Sequence, residues 1–401
     1  MIVKTLGYLI CYLIYPFSFL FPRKRNRYAF GSFRGAFNDN SKYLYIWLSE
    51  NIKDVDAAWL TTNSATVHLV RSIGLKAYNV LSIRGALFAL TSKYWFFNSY
   101  TSDIMFCLSG KAICINLWHG IGLKRTDFNT ISGPMGDRFI RRKPKEVFFH
   151  PESFRRPDYL ISSAPFQTSM FAKAFRISED KCLEFGYPRN TVLSLSDSEL
   201  RNFVSKYEPD VTMSMIERIT GFDKVFIYMP TWRDSQREIF TQSMNLSQLN
   251  EIMKEKNALL LLKPHANTIV DGISDLSNIS LIASNADVYP LLPYTDVLIT
   301  DYSSILYDYL ILKDKGVILY LYDYENYVSE RDFYYPFDGN VAGTRAYSFV
   351  ELLECIKTDN YVIDSKTHSD ILSRFWGNSL TVNSSSAIIN YIRTLDERQA
   401  R

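Results

Sequence analysis

The strongest constraint on the fold is the alternation of short apolar runs with segments that favour helices. From Tyr28 onward, near-continuous apolar runs recur along the chain, and helical patterns fill the gaps between them. Strands that are apolar throughout are buried on both faces, as in a parallel sheet covered by helices. The predicted strands are Tyr28–Ser32, Ala57–Thr61, Ala77–Leu81, Tyr94–Asn98, Ala112–Leu117 and Tyr159–Ser162. This first series predicts a doubly wound α/β domain.

A second series of the same kind follows a polar, helix-prone stretch around residues 194–220. Its predicted strands are Lys224–Met229, Ala258–Leu262, Ile279–Ile282, Val297–Ile299 and Gly316–Leu321. One hydrophobic core seldom serves more than roughly 250 to 300 residues, so a chain of 401 residues is expected to form two domains. We predict an α/β fold class with two doubly wound Rossmann-like domains, residues 23–193 and 194–401, after an apolar segment, residues 1–22.

The composition excludes several classes of protein. Hydrophobic residues make up 47% of the chain and charged residues 22%, which is typical of a folded protein and excludes a disordered one. The 45 basic and 42 acidic residues are too balanced for a protein that binds nucleic acid over a broad surface, so no nucleic-acid partner is expected. The 5 cysteines show no C-x-x-C spacing, which favours neither a disulfide framework nor a zinc site and indicates a reducing, cytoplasmic compartment.

The N-terminus has the pattern of a membrane anchor. No charged residue occurs from Thr5 to Pro22, and a basic cluster of Arg23, Lys24, Arg25 and Arg27 follows at once. A spanning helix needs about 20 apolar residues, so this segment, which Pro16 interrupts, either spans the bilayer or lies in its interface.

The charges around this segment indicate its orientation. The basic cluster is expected to contact anionic lipid, at about 1 kcal/mol per charge. A secretory signal would carry its charge before the apolar run. We therefore predict a peripheral or singly anchored protein on the cytoplasmic face of the plasma membrane; the alternative is a buried first helix.

The first candidate site residue is His119. Ligands of open α/β sheets bind beyond the carboxyl ends of the strands, and His119 follows the predicted strand that ends near Trp118. An imidazole with a pKa near 6.5 can take a proton near neutral pH, so a general base is predicted. Gly120 and Gly122 would let the backbone approach a ligand closely. A structural role for the histidine is the alternative.

Cationic candidates follow two strands of the second domain. Lys263 and His265 come after the buried strand Ala258–Leu262 and could bind a diphosphate, although Lys263 could instead only solvate the strand end. Arg233 follows the strand that ends at Met229, and its planar guanidinium suits phosphate oxygens. An interdomain salt bridge is the alternative for Arg233.

The most specific pattern is the run of small hydroxyl residues after Ile299. Ser303 and Ser304 can cap a following helix and leave N–H groups for an anion, or can cap it without any ligand. Asp301 and Asp308 could orient this loop or bind ribose hydroxyls.

Motifs for other chemistry are absent from the sequence. Asp54 and Asp56 resemble a metal-binding D-x-D pair, but they precede a strand, and we reject that interpretation. Walker A, H-E-x-x-H and G-x-S-x-G patterns do not occur, which argues against P-loop, zincin and hydrolase chemistry. We therefore expect neither a metal nor a cofactor, with cationic and dipolar groups in place of a metal.

Several ordered motifs resemble those of the CDP-glycerol glycerophosphotransferases, enzymes that build teichoic acids and teichoic-acid-like capsules. The matching segments are Phe30–Asn40, Trp118–Gly120, Gly186–Asn190, Pro230–Arg233, Lys263–His265, Thr300–Asp308 and Arg331–Tyr334. They span some three hundred residues in order, which is far more specific than any one of them.

This resemblance implies a two-domain fold of the glycosyltransferase-B type. It implies that the C-terminal domain holds the nucleotide donor and that the acceptor approaches the N-terminal domain. It also implies that His119 and His265 are the family's two histidines and that Asp301–Ser304 lies near the donor phosphates. Asp332 stands where the family usually has glycine, and Asn190 where aspartate is common, so the sequence leaves the donor open between CDP-glycerol and CDP-ribitol.

The expected reaction transfers a polyol phosphate to a lipid-linked polymer. An acceptor hydroxyl polarised by His119 attacks the distal phosphorus, and CMP leaves while His265, Arg233 and the Ser303 and Ser304 amides neutralise its charge. A sugar-nucleotide glycosyltransferase of the same fold and a membrane-bound scaffold for polymer export are the alternatives.

Overall fold

The computed structural model describes residues 2–231, 244–263, 276–283, 286–330 and 333–400. The chain forms two compact units. Unit 1 contains residues 1–121, 125–191 and 375–401, and unit 2 contains residues 122–124 and 192–374.

Unit 1 is built on a seven-stranded sheet in which every pairing is parallel. Its strands are β1 Lys24–Phe30, β2 Asp56–Thr61, β3 Ala77–Asn79, β4 Ser92–Phe97, β5 Ile113–Asn116, β6 Tyr159–Ser162 and β7 Cys182–Glu184. The order across the sheet is β3-β2-β1-β4-β5-β6-β7. Central strand β4 is buried at every residue, which explains the unbroken aromatic run Tyr94–Phe97 within it. The predicted strands of the first series are all present, and β7 is an edge strand that the sequence analysis missed.

Helix α1, Ile2–Phe17, precedes the first strand of unit 1, and six helices lie between its strands along the chain. The six are α2 Asp39–Asn51, α3 Ser64–Ser72, α4 Ile83–Thr91, α5 Gly133–Phe139, α6 Pro144–Phe149 and α7 Pro165–Phe175. Parallel strands begin at the same end of the sheet, so each connection has to carry the chain back to that end, and α2, α3, α4 and α7 each do so.

Unit 2 has a six-stranded sheet, again with parallel pairings only. Its strands are β8 Lys224–Met229, β9 Ala258–Leu262, β10 Ile279–Leu281, β11 Val297–Thr300, β12 Gly316–Tyr320 and β13 Thr344–Ala346. The order is β10-β9-β8-β11-β12-β13. Its helices are α8 Asp197–Tyr207, α9 Asp210–Ile219, α10 Leu246–Glu255, α11 Ile305–Tyr309, α12 Tyr324–Glu330, α13 Phe349–Lys357 and α14 Ser365–Phe375. The predicted fold class of two Rossmann-like, parallel-sheet domains is confirmed.

Each sheet has one point at which the strand order reverses. In unit 1 the reversal lies between β1 and β4, and in unit 2 it lies between β8 and β11. The loops that follow these strands diverge there and leave a crevice, which is where ligands of open α/β sheets bind.

The C-terminal helix α15, Ser384–Ala400, belongs to unit 1. Asp396 accepts hydrogen bonds from Lys93 Nζ at 2.5 Å and from the Tyr94 hydroxyl at 2.7 Å. The sequence analysis placed residues 375–401 in the second domain, and the structure differs here. Contacts between residues about three hundred positions apart leave no local pattern, so the sequence could not reveal this return.

Helix α1 packs one face against unit 1. Tyr15 stacks on Phe106 with ring centroids 4.5 Å apart, and the Tyr12 hydroxyl donates to the Phe148 carbonyl at 3.1 Å. Among the described residues, no helix combines the length and apolarity that crossing a membrane requires. At a rise of about 1.5 Å per residue, α1 is roughly 24 Å long, which is shorter than the hydrocarbon core of a bilayer.

The basic cluster that follows α1 is largely engaged within unit 1. Arg23 donates from its guanidinium to the carbonyls of Ala89 at 2.6 Å and Leu108 at 2.8 Å. Arg27 pairs with Asp56 at 2.8 Å. Carbonyls and a carboxylate of unit 1 thus hold the guanidinium groups of Arg23 and Arg27, while Lys24 and Arg25 are exposed, and contact of the cluster with lipid stays a prediction.

Candidate active site

The His119 loop is set by the backbone that follows β5. Trp118 has a left-handed φ of 55°, and the Asn116 side chain stabilises this conformation by accepting the Trp118 N–H at 2.9 Å. Gly120 has a φ of 124°, which a residue with a side chain rarely adopts. These conformations turn the chain sharply and place His119 at the carboxyl end of β5.

A hydrogen bond fixes the tautomer of His119. Its Nδ1 lies 3.1 Å from the Asn98 carbonyl oxygen, and a carbonyl can only accept, so Nδ1 carries the proton. The other ring nitrogen, Nε2, is then left as a proton acceptor. Desolvation by the surrounding protein lowers the pKa of His119 from its usual value of 6.5, against smaller opposing effects of Asp39 and the Asn98 carbonyl, and the side chain keeps an exposed part through which a substrate can reach it. A neutral imidazole with an accepting Nε2 is the form that a general base needs.

Asn98 connects His119 to the point where the strand order of unit 1 reverses. Asn98 follows β4, and its Nδ2 donates to the Ser32 hydroxyl, which follows β1, at 2.8 Å. Its Oδ1 accepts the N–H of Ser41 at 3.1 Å near the start of α2. The loops after β1, β4 and β5 are thereby joined around His119.

Asn40 and Arg189 hold the other side of this loop. Asn40 is fully buried, and its Nδ2 donates to the Trp118 carbonyl at 2.9 Å. Its Oδ1 accepts the backbone N–H of Arg189 at 3.1 Å, and the Arg189 guanidinium pairs with Asp39 at 2.7 Å. The amide of Asn40 uses both its donor and its acceptor, so it links the loop at Trp118 to the 3-10 helix Pro188–Ser194.

The two glycines near His119 belong to different units. The Gly120 carbonyl accepts the Tyr187 hydroxyl at 3.1 Å within unit 1. Gly122 is grouped with unit 2. The predicted role of both glycines in close approach to a ligand remains a prediction.

In unit 2, Asp301 joins the loops at the reversal of strand order. Its carboxylate accepts the Thr231 N–H at 2.9 Å and the Thr231 hydroxyl at 2.5 Å. Thr231 follows β8 and Asp301 follows β11, the two strands between which the order reverses. Asp301 is only 1% exposed, so it orients this loop, which was one of its two predicted roles.

Ser303 and Ser304 do not cap the following helix as the sequence suggested. Ser304 is the N-cap residue of α11, but its side chain makes no capping hydrogen bond. The Ser303 hydroxyl lies 3.5 Å from the Ile305 N–H, which is too long for a strong bond. The helix has only 5 residues, so its dipole is small. Both serines are half-buried.

Asp308 and Lys263 have structural partners within unit 2. Asp308 is fully buried and accepts the Tyr289 hydroxyl at 2.7 Å, which argues against a role in binding ribose. Lys263 Nζ donates to the carbonyls of Ala283 at 2.6 Å and Ala286 at 3.0 Å. Burial lowers the pKa of Lys263 to about 8. These contacts favour the interpretation in which Lys263 has a structural role at the end of its strand over the one in which it binds a diphosphate.

Two predicted site residues, Arg233 and His265, lie outside the described residues, as do Arg331 and Asp332. Their assigned roles stay predictions.

The acidic pair rejected as a metal site is used in ion pairs. Asp54 binds Arg393, and Asp56 binds Arg27 and Lys76. Within the described part of the chain, no group of three or more His, Cys, Asp or Glu side chains is arranged to hold a metal.

Sequence analysis missed four residues that hold the His119 loop: Asn40, Asn98, Tyr187 and Arg189. Three of them lie in segments that were noted for their family resemblance, Phe30–Asn40 and Gly186–Asn190. Their presence in those segments was the available signal, but their partners became visible only in three dimensions.

Two Rossmann-like units with polar residues at their strand ends define a nucleotide-dependent group transferase, consistent with the glycosyltransferase-B type. Residues 13–392 match the family model of CDP-glycerol:poly(glycerophosphate) glycerophosphotransferase, and the chain belongs to this family. The resemblance inferred from the motifs is confirmed, and the protein is an enzyme of this transferase class.

Similar proteins act in teichoic acid synthesis. The chain is 29% identical over 384 residues to a teichoic acid glycerol-phosphate transferase of Staphylococcus aureus, covering 92% of this chain and 94% of that protein. It is 28% identical to a teichoic acid poly(glycerol phosphate) polymerase of Bacillus subtilis, covering 84% of this chain but 44% of the polymerase. The structure of the wall teichoic acid polymerase TagF, soaked with CDPG, is similar with a TM-score of 0.76 at 25% identity, over 94% of this chain and 91% of that one.

Proposed function

We propose that this enzyme transfers glycerol phosphate, or a related polyol phosphate, from a CDP-activated donor to a hydroxyl of a membrane-linked polymer. The oxygen of the acceptor forms a bond to the distal phosphorus of the donor. The bond between that phosphorus and the bridging oxygen breaks, and CMP leaves with the bridging oxygen. No other reactant is needed.

The observation that carries this proposal is the state of His119. Its Nδ1 is bound to the Asn98 carbonyl, so Nε2 can take the proton of the attacking hydroxyl. Such a base favours transfer to an alcohol, because the alcohol becomes nucleophilic as it loses its proton. The network of Asn40 and Asn98 keeps the ring oriented before the substrate arrives.

In unit 2, the proposal assigns donor binding to the loops joined by Asp301. The Asp301 carboxylate accepts both the N–H and the hydroxyl of Thr231 and so fixes the loop after β8 to the loop after β11. Groups that such loops hold in a preorganised position can stabilise the negative charge that develops on a phosphate. The proposed contributions of Arg233, His265 and the Ser303 and Ser304 amides would add to this stabilisation.

The proposal is tested by identifying both products. The purified full chain would be incubated with a lipid-linked acceptor and CDP-glycerol, CDP-ribitol or a UDP-sugar. We expect CMP release, with a polyol phosphate added to the acceptor by mass spectrometry. Release of UDP with a glycosylated product would instead establish a glycosyltransferase. Absence of turnover and of donor binding would favour a scaffold.

We further propose that the protein is peripheral to the cytoplasmic face of the plasma membrane through α1. The exposed face of this helix is almost purely apolar, with Leu13 67% and Phe17 64% exposed. The face that packs on unit 1 carries Tyr8, Cys11 and Tyr15. A water-soluble helix has the opposite arrangement, so this distribution suits a helix that lies in the lipid interface.

Basic residues near α1 support the same orientation. Helix α6 contacts α1 through Phe148 and Phe149, and the segment that leads into α6 is exposed and basic. Its cations are Arg141, Arg142, Lys143 and Lys145. Two of them pair with Asp137, and the segment keeps a net positive charge that would attract anionic lipids.

The membrane proposal predicts a large effect of charge on the exposed face of α1. The double variant Leu9→Asp/Leu13→Asp should bind anionic phospholipid vesicles at least about 100-fold more weakly, because two leucines lose their burial in lipid. The matched control is Val350→Asp/Val362→Asp, which changes two exposed valines of unit 2. Vesicle flotation measures both. Equal flotation of the two double variants would contradict the proposal.

A further inference from the structure

Unit 1 contains a cavity of about 540 Å³ that the proposed chemistry does not use. It lies among α1, the loops that follow β1 and β4, and the segment from Arg138 to Glu152. Its volume is within the range of roughly 300 to 1,000 Å³ that is typical of small-molecule sites.

Most of the wall is apolar or aromatic. Tyr8 and Cys11 come from the packed face of α1, Phe33 follows β1, and Met105 and Phe106 follow β4. These side chains are suited to hydrocarbon, since they offer large surfaces with few polar atoms.

A cationic group lies among the polar lining residues. Arg138 makes two long contacts, 3.3 Å from Nη2 to Glu146 and 3.4 Å from Nη1 to Ser153. Its Nε is buried and has no hydrogen-bond partner among the described residues. A buried donor of this kind is costly unless an acceptor reaches it, and a guanidinium prefers an anionic oxygen.

A hydrogen bond and burial reduce the negative charge that the acidic groups of the lining present to a ligand. Glu152 accepts a hydrogen bond from His150 Nδ1 at 3.2 Å. Burial raises the pKa of Asp103 to about 7, so this carboxyl is about half protonated near neutral pH. The cationic character of Arg138 therefore remains available to a ligand.

The cavity lies between the proposed membrane face and the proposed base. One wall of the cavity is formed by α1, and the other side of this helix is its exposed apolar face. Tyr100, which lines the cavity, follows Asn98 by two residues in the sequence, and the Asn98 carbonyl binds His119. A ligand with its chain in this cavity would thus lie at the same edge of the sheet as His119.

We propose that this cavity binds a single-chain amphiphile with an anionic phosphate head, which is the lipid end of the acceptor. Phe33, Met105 and Phe106 contact the hydrocarbon chain, and the guanidinium of Arg138 binds the phosphate. The assignment to the acceptor rests on the proposed function, whereas binding of the amphiphile itself does not.

The test uses dodecyl phosphate below its critical micelle concentration and the full chain, with affinity measured by calorimetry. A Cβ atom at Gly7 would meet no atom within 4 Å, so Gly7→Phe can extend a ring into the cavity without a backbone clash. We expect this variant to bind the probe at least about tenfold more weakly. The control Ile83→Phe changes a residue that is 81% exposed on α4 and should bind like the unchanged protein.

A second variant tests the head group. Arg138→Gln should weaken dodecyl phosphate about tenfold and leave the neutral dodecyl ether of hexaethylene glycol unaffected. Unchanged affinity in Gly7→Phe, or an equal effect of Arg138→Gln on both probes, would overturn the inference. CMP release is measured in parallel and separates the two proposals. If the protein releases CMP but does not bind the probe, only the assignment of the cavity is refuted. If the probe binds in the cavity but no CMP is released, only the transferase proposal is refuted.

Discussion

Replacing His119 by alanine is expected to lower kcat/KM for CMP release by about 10²- to 10⁴-fold, the usual contribution of a general base. The loss should appear in kcat, because proton removal matters in the transition state and not in donor binding. The matched control is His68→Ala, since His68 is an exposed histidine of α3 in the same unit. Wild-type rates in His119→Ala would refute the role of His119, and an equal loss in both variants would point to general damage.

The pH dependence of the activity provides a second test of the role of His119. The pKa of His119 is lowered from 6.5 in the folded protein, and a general base acts in its neutral form. Activity should therefore be constant near neutral pH and fall only as the pH drops below the lowered pKa, with the acid limb below pH 6.5. His119→Gln keeps a side chain that can accept hydrogen bonds but cannot take up the proton, so it should be as inactive as His119→Ala. An acid limb above pH 6.5 would contradict the assignment.

Replacing Asp301 by asparagine is expected to destabilise the protein by about 1.5–3 kcal/mol, the range for hydrogen bonds to a charged group. Oδ1 of the carboxylate accepts both the N–H and the hydroxyl of Thr231, and Oδ2 accepts the same N–H at 3.1 Å; an amide loses the second acceptor and the negative charge that strengthens these bonds. Because this pair orders the loops after β8 and β11, the affinity for CDP-glycerol should fall as well. Urea unfolding and calorimetry with CDP-glycerol measure the two effects.

A double-mutant cycle separates this pair from its surroundings. Thr231→Val removes the hydroxyl donor and keeps the shape of the side chain. If the two residues act as a pair, the double variant Thr231→Val/Asp301→Asn should lose less stability than the sum of the single losses. Additive losses would show that Asp301 acts through other contacts.

The fold was predictable because burial on both faces leaves a clear pattern. The strand Ala258–Leu262 is fully buried along its length and was found from its unbroken apolar run. Two edge strands were missed. Strands β7 and β13 have three residues each and include a charged one, so they form no apolar run, whereas edge strands β3 and β10, of the same length, lie within runs that are mainly apolar.

The candidate site was predictable only in part. His119, Asp301 and Lys263 were found because polar residues follow apolar strands. Their partners were not, because Asn40, Asn98 and Arg189 are distant in sequence from the loop that they hold. The expected caps at Ser303 and Ser304 failed for a related reason, since the geometry of a turn decides whether a hydroxyl reaches a backbone N–H.

The sequence by itself determined the two parallel-sheet domains, the family and the location of the base at a strand end, since each depends on local residue order. Only the tertiary structure decided the tautomer of His119, the inward turn of Arg23 and the return of the C-terminal helix to unit 1. The physical reason is that the burial of a strand or helix produces a repeating pattern in the order of its residues. Hydrogen bonds and ion pairs join residues that are far apart in the sequence, and nothing in the order of the residues reveals these pairs.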